Sequence, residues 1–206
     1  MKTIILTLKG MQSWGDSSKH VYRETRNEPT YSGILGLIKS SMGIRSNHPK
    51  AKELLSLRMA VRVDNQGIKE CDYQNAGNFV KLIGKGKQSV QTWRYYLSSD
   101  SQFTVALTGD DILVDEIIEG LNHPCYHLYM GRLACPITTP IISKVTNDEN
   151  PFDALTLLPS KNVVRFIVET NEKTIDSERV EDVPISDKVY GARNIQSVHV
   201  DFGKGK

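Results

Sequence analysis

Gln91-Thr-Trp-Arg-Tyr-Tyr-Leu97 interleaves aromatic rings with a guanidinium and contains no carboxylate. Rings in that pattern stack on unpaired bases while cations take phosphates, so the chemistry it suits is a grip on single-stranded nucleic acid. The segment just before it, Lys81-Leu-Ile-Gly-Lys-Gly-Lys87, adds more cations. From Phe79 to Tyr96 the chain carries Lys81, Lys85, Lys87 and Arg94 and no acid. Such a run could track a phosphate backbone, although on charge alone a solvated face is the simpler account.

Gly10-Met-Gln-Ser-Trp-Gly15 brackets Gln12, Ser13 and Trp14 between glycines. An exposed Trp14 there could stack on a base; an indole closing the core is the competing reading. In Pro29-Thr-Tyr-Ser-Gly-Ile-Leu-Gly-Leu-Ile-Lys-Ser-Ser-Met-Gly43, the small residues Gly33, Gly36, Ser40 and Gly43 share one helical strip. Each helical glycine costs about 1 kcal/mol against alanine, which calls for a close neighbour, either another backbone or a phosphate at the helix start. Catalysis has one local candidate. Lys19, His20 and Tyr22 could supply the base, acid and cation of metal-free RNA cleavage, but a lone loop histidine is more often structural. His123, Cys125 and His127 are close in sequence yet lack a fourth ligand for a tetrahedral metal site, so no metal and no cofactor is expected.

The elements that must position these groups follow from periodicity. Lys2–Lys9 is predicted as a buried strand. Asp16–Glu28, with Lys19, Arg23 and Arg26, is a long ordered loop or hairpin. Pro29–Gly43 is a helix capped by Thr30 or Ser32, with Ile34, Leu35, Ile38 and Met42 inward. A helical patch at 51–57, a strand at 58–63 and a protruding hairpin over 68–98 come next. Phe103–Thr108 is a strand and 109–121 a helix with Ile112, Leu113, Ile117 and Leu121 inward. Residues 147–160 read as a loop, Asn162–Glu169 and Ser197–Phe202 as strands, and Tyr190-Gly-Ala-Arg193 as a turn. Strand, helix, strand, hairpin, strand, helix, strand is the split βαβ, ferredoxin-like pattern.

At 206 residues and a net charge of +2 the chain is one domain, or one domain with an appendage, and its charge does not announce a nucleic-acid binder. From Glu169 to Asp182 six acids stand against Lys173 and Arg179, a stretch that should face water or protein. No apolar run approaches the ~20 residues needed to span a bilayer, and the N-terminus opens as a strand with no signal-peptide pattern. The three cysteines, Cys71, Cys125 and Cys135, form no C-x-x-C pair and read as reduced thiols of a cytoplasmic protein.

Taken together, Met11-Gln-Ser-Trp-Gly15, Pro29-Thr-Tyr-Ser-Gly-Ile-Leu-Gly36, Ala60-Val-Arg-Val-Asp64 with Asp72-Tyr-Gln74, Gln91–Leu97 and Tyr129-Met-Gly-Arg-Leu-Ala-Cys-Pro136 resemble the CasD branch, type I-E, of Cas protein family five. The resemblance runs in order through residues 1–140 and is loose around Tyr190–Phe202. It implies an α+β, ferredoxin-like (RRM-like) body over 1–140 with a thumb at about 68–98, and a small β-rich C-terminal appendage over 141–206 packed on the body. It implies a structural subunit of the CRISPR Cascade surveillance complex that holds the 5′ handle of the crRNA, contacts the large subunit and the first backbone subunit, and meets target DNA only through the assembled complex. The alternative within the wider family is a metal-independent endoribonuclease that processes repeat RNA, for which Lys19, His20 and Tyr22 are the candidates. Carried onto this chain, the implied RNA contacts are Gln12, Ser13, Trp14, Arg23, Arg26, Thr30, Ser32 and Gly33, with Lys81, Lys85, Lys87, Gln91, Thr92, Trp93, Arg94, Tyr95, Gly131 and Arg132.

Overall fold

Lys2–Lys9 (β1) alternates between the two faces of a sheet: Ile4, Leu6 and Leu8 turn to one core and Ile5 to the other. The computed structural model describes residues 1–15, 21–45, 47–80, 86–160, 163–171, 175–186 and 189–203. After β1 come the short strands Trp14–Gly15 (β2), Tyr22–Arg23 (β3) and Thr25–Arg26 (β4). Helix α1 (Tyr31–Ser41) follows, then α2 (Lys50–Glu53) with a 3₁₀ turn at Leu54–Ser56. Then come β5 (Arg58–Asn65), β6 (Lys69–Val80), β7 (Lys87–Leu97), β8 (Gln102–Gly109), α3 (Asp111–Asn122), β9 (Ile142–Thr146), α4 (Pro151–Thr156), β10 (Val163–Glu169), β11 (Ser177–Ser186) and β12 (Val189–Asp201).

The main sheet runs β11-β12-β10-β5-β8-β1-β9, and every pairing in it is antiparallel. β1 and β5 flank β8 and are joined through α1, while β8 and β9 flank β1 and are joined through α3. Both helices therefore lie on one face, where Ile34, Leu35, Ile38, Val114 and Ile117 bury against Ile4, Leu6, Val105 and Leu107. Both have the caps their sequences promise. Thr30 Oγ1 accepts from Gly33 N–H on α1, and Asp110 does the same for Ile112 on α3. The inward stripe of α3 is Leu113, Val114, Ile117 and Leu121. Ile112, expected inward, is exposed, because Val114 completes the 3.6-residue stripe in its place.

Three expectations are corrected. Residues 147–160 are not all loop: α4 lies among them, with Asn150 as its N-cap. It seats Ala154 and Leu155 on Ala60, Ala106 and Phe166 across the second face of the sheet. Six residues are too short for a periodic signal, and burial on the sheet supplies what propensity cannot. Tyr190–Arg193 is not a turn but the start of β12, paired along β11. The strand expected at Ser197–Phe202 is only the far end of β12. Beyond residue 140, β9 pairs with β1 and β10 pairs with β5.

Outside this sheet, β6 and β7 form a long antiparallel hairpin to which β3 adds in parallel. β6 is exposed along its described side chains, and β7 is buried at Thr92, Tyr96 and Leu97 and half-buried between Thr92 and Tyr96. The hairpin is tied to the body at its inner end, where Gln12 and Leu97 exchange backbone hydrogen bonds.

Candidate nucleic-acid interface

The loop after β1 is a knot rather than a free arm. Gln12 exchanges backbone hydrogen bonds with Leu97, and its Nε2 donates to Leu8 O. Ser13 Oγ donates to Tyr95 O at 2.9 Å, and Ser13 N–H donates to Met130 O. Trp14 N–H donates to Thr25 Oγ1, and the indole Nε1 donates to Gln12 Oε1 at 3.0 Å. All of Gln12, Ser13 and Trp14 are 0% exposed. The reading of Trp14 as an exposed base platform is thus corrected: the indole closes the core and offers no face to a ligand. Gly131, at φ +84°, passes so close to Ser13 O that a Cβ there would stand 1.8 Å away, which is why only glycine suits that crossing.

The strip on α1 has two kinds of neighbour. A Cβ at Gly33 would fall 2.7 Å from Trp14 Cε3, so this glycine makes room for the indole. A Cβ at Gly36 would meet nothing within 4 Å. Gly36 and Ser40 instead line a groove of about 930 Å³ whose other walls include Arg26, Tyr129, Gly131, Arg179, Glu181 and Tyr190. Arg26, on the groove wall, forms an ion pair with Glu178 at 2.6 Å and lies 3.5 Å from Glu28.

The helix start is already occupied. Asp182 Oδ2 accepts from Tyr31 N–H at 2.7 Å, and Thr30 takes the Gly33 N–H. Asp182 has no ladder partner because β11 bulges between Glu181 and Val183, and a bulge re-aims its side chain. Arg193 compensates the carboxylate through Nε at 2.7 Å and Nη2 at 2.9 Å, and its guanidinium lies over the Tyr31 ring. Burial, and then the Glu169 charge, push the Tyr31 hydroxyl well above its ordinary range, so it stays a donor to Leu57 O. The expected phosphate seat at Thr30 and Gly33 therefore holds a protein carboxylate. Thr30, Ser32 and Gly33 all line the groove, Thr30 buried and the other two half-buried.

The hairpin base carries the arginines. Arg23 and Arg94 pair across β3 and β7, with Asp72 opposite Arg94 on β6. Arg132 reaches the same place: its Nη2 donates to Arg23 O and Glu24 O, and its guanidinium lies 5.7 Å from the centre of the Tyr96 ring. Arg94 Nε and Arg132 Nη1 are buried and make no hydrogen bond to a described residue. Buried guanidinium donors in that state cost free energy unless an acceptor meets them. On the opposite hairpin face, Tyr22 stacks on Trp93, Tyr73 tilts against it, and Tyr95 stands across from Cys71. Gln91 and Lys87 are exposed further out, while Thr92 is buried. Lys19, His20, Lys81 and Lys85 lie outside the described residues. Among the described residues no group of three His, Cys, Asp or Glu side chains could hold a metal ion.

Sequence reading missed Asp182, Arg193, Arg179, Tyr190 and Tyr73. The first four sat in stretches read as an acidic run facing water or protein, or as a turn. Tyr73 offered a signal, since it alternates with Cys71 and Asn75 in an extended run.

A family described as "CRISPR-associated protein (Cas_Cas5)" matches residues 3–200. The chain is 32% identical over 168 residues to a protein of Escherichia coli (strain K12) named CRISPR system Cascade subunit CasD, with 74% of this chain and 75% of that protein covered. Among solved structures, a chain of a "CRISPR RNA-guided surveillance complex" is similar with a TM-score of 0.79 at 27% identity, covering 97% of this chain and 90% of that one. A second, described as "Crystal structure of Cas protein", has a TM-score of 0.72 at 27% identity, with 97% and 95% covered.

Proposed function

The chain belongs to Cas protein family five, and from that premise we propose that it is a structural RNA-binding subunit of a type I-E Cascade surveillance complex. In this reading it holds the 5′ handle of the crRNA in the cytoplasm. We read β1, α1, β5, β8, α3 and β9 as a ferredoxin-like body, because the order β5-β8-β1-β9 with both helices on one face has that pattern. The β6–β7 hairpin is its thumb, directed at the first backbone subunit. The large subunit meets the body. Residues after β9, with β10–β12 carrying the sheet onward, form the C-terminal part.

The observation that carries this reading is the groove beside Gly36, which no side chain of α1 fills and which Arg26 and Arg179 border. A single-stranded handle offers phosphates, 2′-hydroxyls and splayed bases. Ser32 and Ser40, which line the groove, supply hydroxyl donors. Arg26 supplies charge by exchanging Glu178 for a phosphate. Arg94 and Arg132 supply donors at the hairpin base, beside Arg23. Gln12, Ser13 and Trp14 act from beneath, as the framework that fixes these groups. Holding the strand needs no general base, and Tyr22, one candidate for acid–base chemistry, is stacked on Trp93. The finding that the relative is a Cascade subunit supports a non-catalytic role.

The test is to purify the chain with its partner subunits, sequence the copurifying RNA, and measure binding of repeat-derived handle RNA against a scrambled strand. Handle RNA is expected to be enriched, and Arg26→Ala is expected to weaken its binding by about 1.5–3 kcal/mol, the worth of a charged hydrogen bond. Equal binding of both strands, or specific cutting of repeat RNA by the purified chain, would overturn the reading.

A further inference from the structure

The two faces of the β6–β7 hairpin differ in chemistry. Thr92, Arg94 and Tyr96 point one way, toward Arg132 and the body. Lys69, Cys71 and Tyr73 on β6 point the other way, with Trp93 and Tyr95 on β7. Tyr22 arrives on this second face from β3, a strand of only two residues. It is held by its own ladder with β7 and by Trp93 N–H donating to Val21 O at 2.9 Å. The rings then form a row. Tyr22 stacks on Trp93 with centroids 5.0 Å apart and planes at 23°, and Tyr73 lies 5.0 Å away at 53°.

The exposure of the row is what requires an account. Tyr22 is 47% and Tyr73 50% exposed, on a hairpin that shares no apolar core with the body at that point. One cross-strand aromatic pair, Tyr73 with Trp93, is enough to steady a hairpin. The third ring is brought in by a separate segment and left half in water. Trp93 cannot itself receive a base on the face Tyr22 covers, so the surfaces on offer belong to the tyrosines. Among the described residues, Lys69 at the base of the row pairs with Glu24 at 3.8 Å, Lys87 stands further out on β7, and the β6 acids Glu70 and Asp72 alternate to the other face of the hairpin. Half-exposed ring faces held in a row match an unpaired base, since every base has a π-face to stack.

We propose that Tyr22 and Tyr73, with Trp93 as their spine, form a base-stacking platform for single-stranded RNA on the hairpin face opposite Arg94. This rests on the RNA-clamp reading for the strand's identity, and it reassigns the stacking role from Trp14 and Trp93 to the two tyrosines.

Stacking and phosphate pairing respond differently to salt, because counterion release belongs to the phosphates. The full chain is titrated with handle RNA at low and high salt, comparing wild type with Tyr22→Leu/Tyr73→Leu and Tyr22→Phe/Tyr73→Phe. The leucine variant is expected to bind about five- to a hundred-fold more weakly at both salt concentrations with an unchanged salt slope, and the phenylalanine variant to bind like wild type. Trp93 fluorescence provides a second readout, since Trp14 is fully buried. RNA should quench it in wild type. RNA carrying 4-thiouridine should crosslink to Tyr22 or Tyr73 in the unmutated chain, a measurement independent of whether the leucine variant folds. Unchanged affinity in a folded leucine variant, crosslinks confined to other residues, or a defect seen only in docking of a partner protein would overturn the platform while leaving the clamp standing. Failure of the wild type to bind handle RNA at all would overturn the clamp and the platform together.

Discussion

Gly33 and Gly36 sit three residues apart on α1, and a methyl group would mean something different at each. At Gly33 it would press on the Trp14 ring from 2.7 Å and on Thr30 Oγ1 from 2.9 Å. Trp14 cannot retreat, since its Nε1 and backbone N–H are both bonded and it is wholly buried. Gly33→Ala should therefore destabilise the fold by about 1–3 kcal/mol, the usual cost of overpacking. At Gly36 the methyl would enter open space, so Gly36→Ala should raise stability by roughly 0.5–1 kcal/mol through helix propensity. It would also narrow the groove. Thermal melts and handle-RNA titrations on both variants check this: Gly36→Ala is expected to melt higher and bind RNA more weakly. Binding unchanged in the stabilised variant would move the strand away from α1. The Asp182–Arg193 pair belongs to the same scale. It shows how a bulge residue on β11 can spend the positive end of a helix on a protein carboxylate before any ligand arrives.

Shortening the hairpin is expected to separate folding from assembly. β6 and β7 pair over most of their length, yet their outer part buries nothing in the body. Their inner ends are tied to it by Leu97 to Gln12, Ser13 to Tyr95 and Arg132 to the Arg23–Glu24 carbonyls. Replacing residues 77–88 by a tight turn keeps all of those ties and the Tyr73–Trp93 pair. The shortened chain should hold its unfolding free energy within about 0.5 kcal/mol, as surface changes do. It should fail to join a backbone subunit in size-exclusion chromatography. Normal assembly would show that the hairpin is not the contacting arm.

For the whole molecule the controlling feature is one sheet with a core on each face. β9 closes the edge beside β1, β10 covers the edge of β5, and α4 roofs Ile5, Ala60 and Ala106. A chain cut after residue 140 would lose all of these and leave two strand edges and an apolar sheet face in water. Such a fragment is expected to show no cooperative thermal transition by circular dichroism and to aggregate. A fragment that melted cooperatively would mean that residues 1–140 fold without residues 141–206.

The reach of sequence reading follows the range of the interactions involved. β1, α1 with its Thr30 cap, β5, β8 and α3 were legible because alternation, helical spacing and capping act between residues within a turn of one another. The same rules made it certain that α1 carries a side-chain-poor strip. They were silent on what stands opposite, because Trp14 meets Gly33 through a loop and Asp182 reaches Tyr31 across 151 residues. α4, β9 and the true extent of β12 were hidden for the same cause. Each is held by burial or pairing with a distant strand, and its local pattern is too short or too polar to declare itself. The chain by itself determined which residue types could grip a strand; packing between far-separated segments decided which of them are buried as framework and which remain exposed.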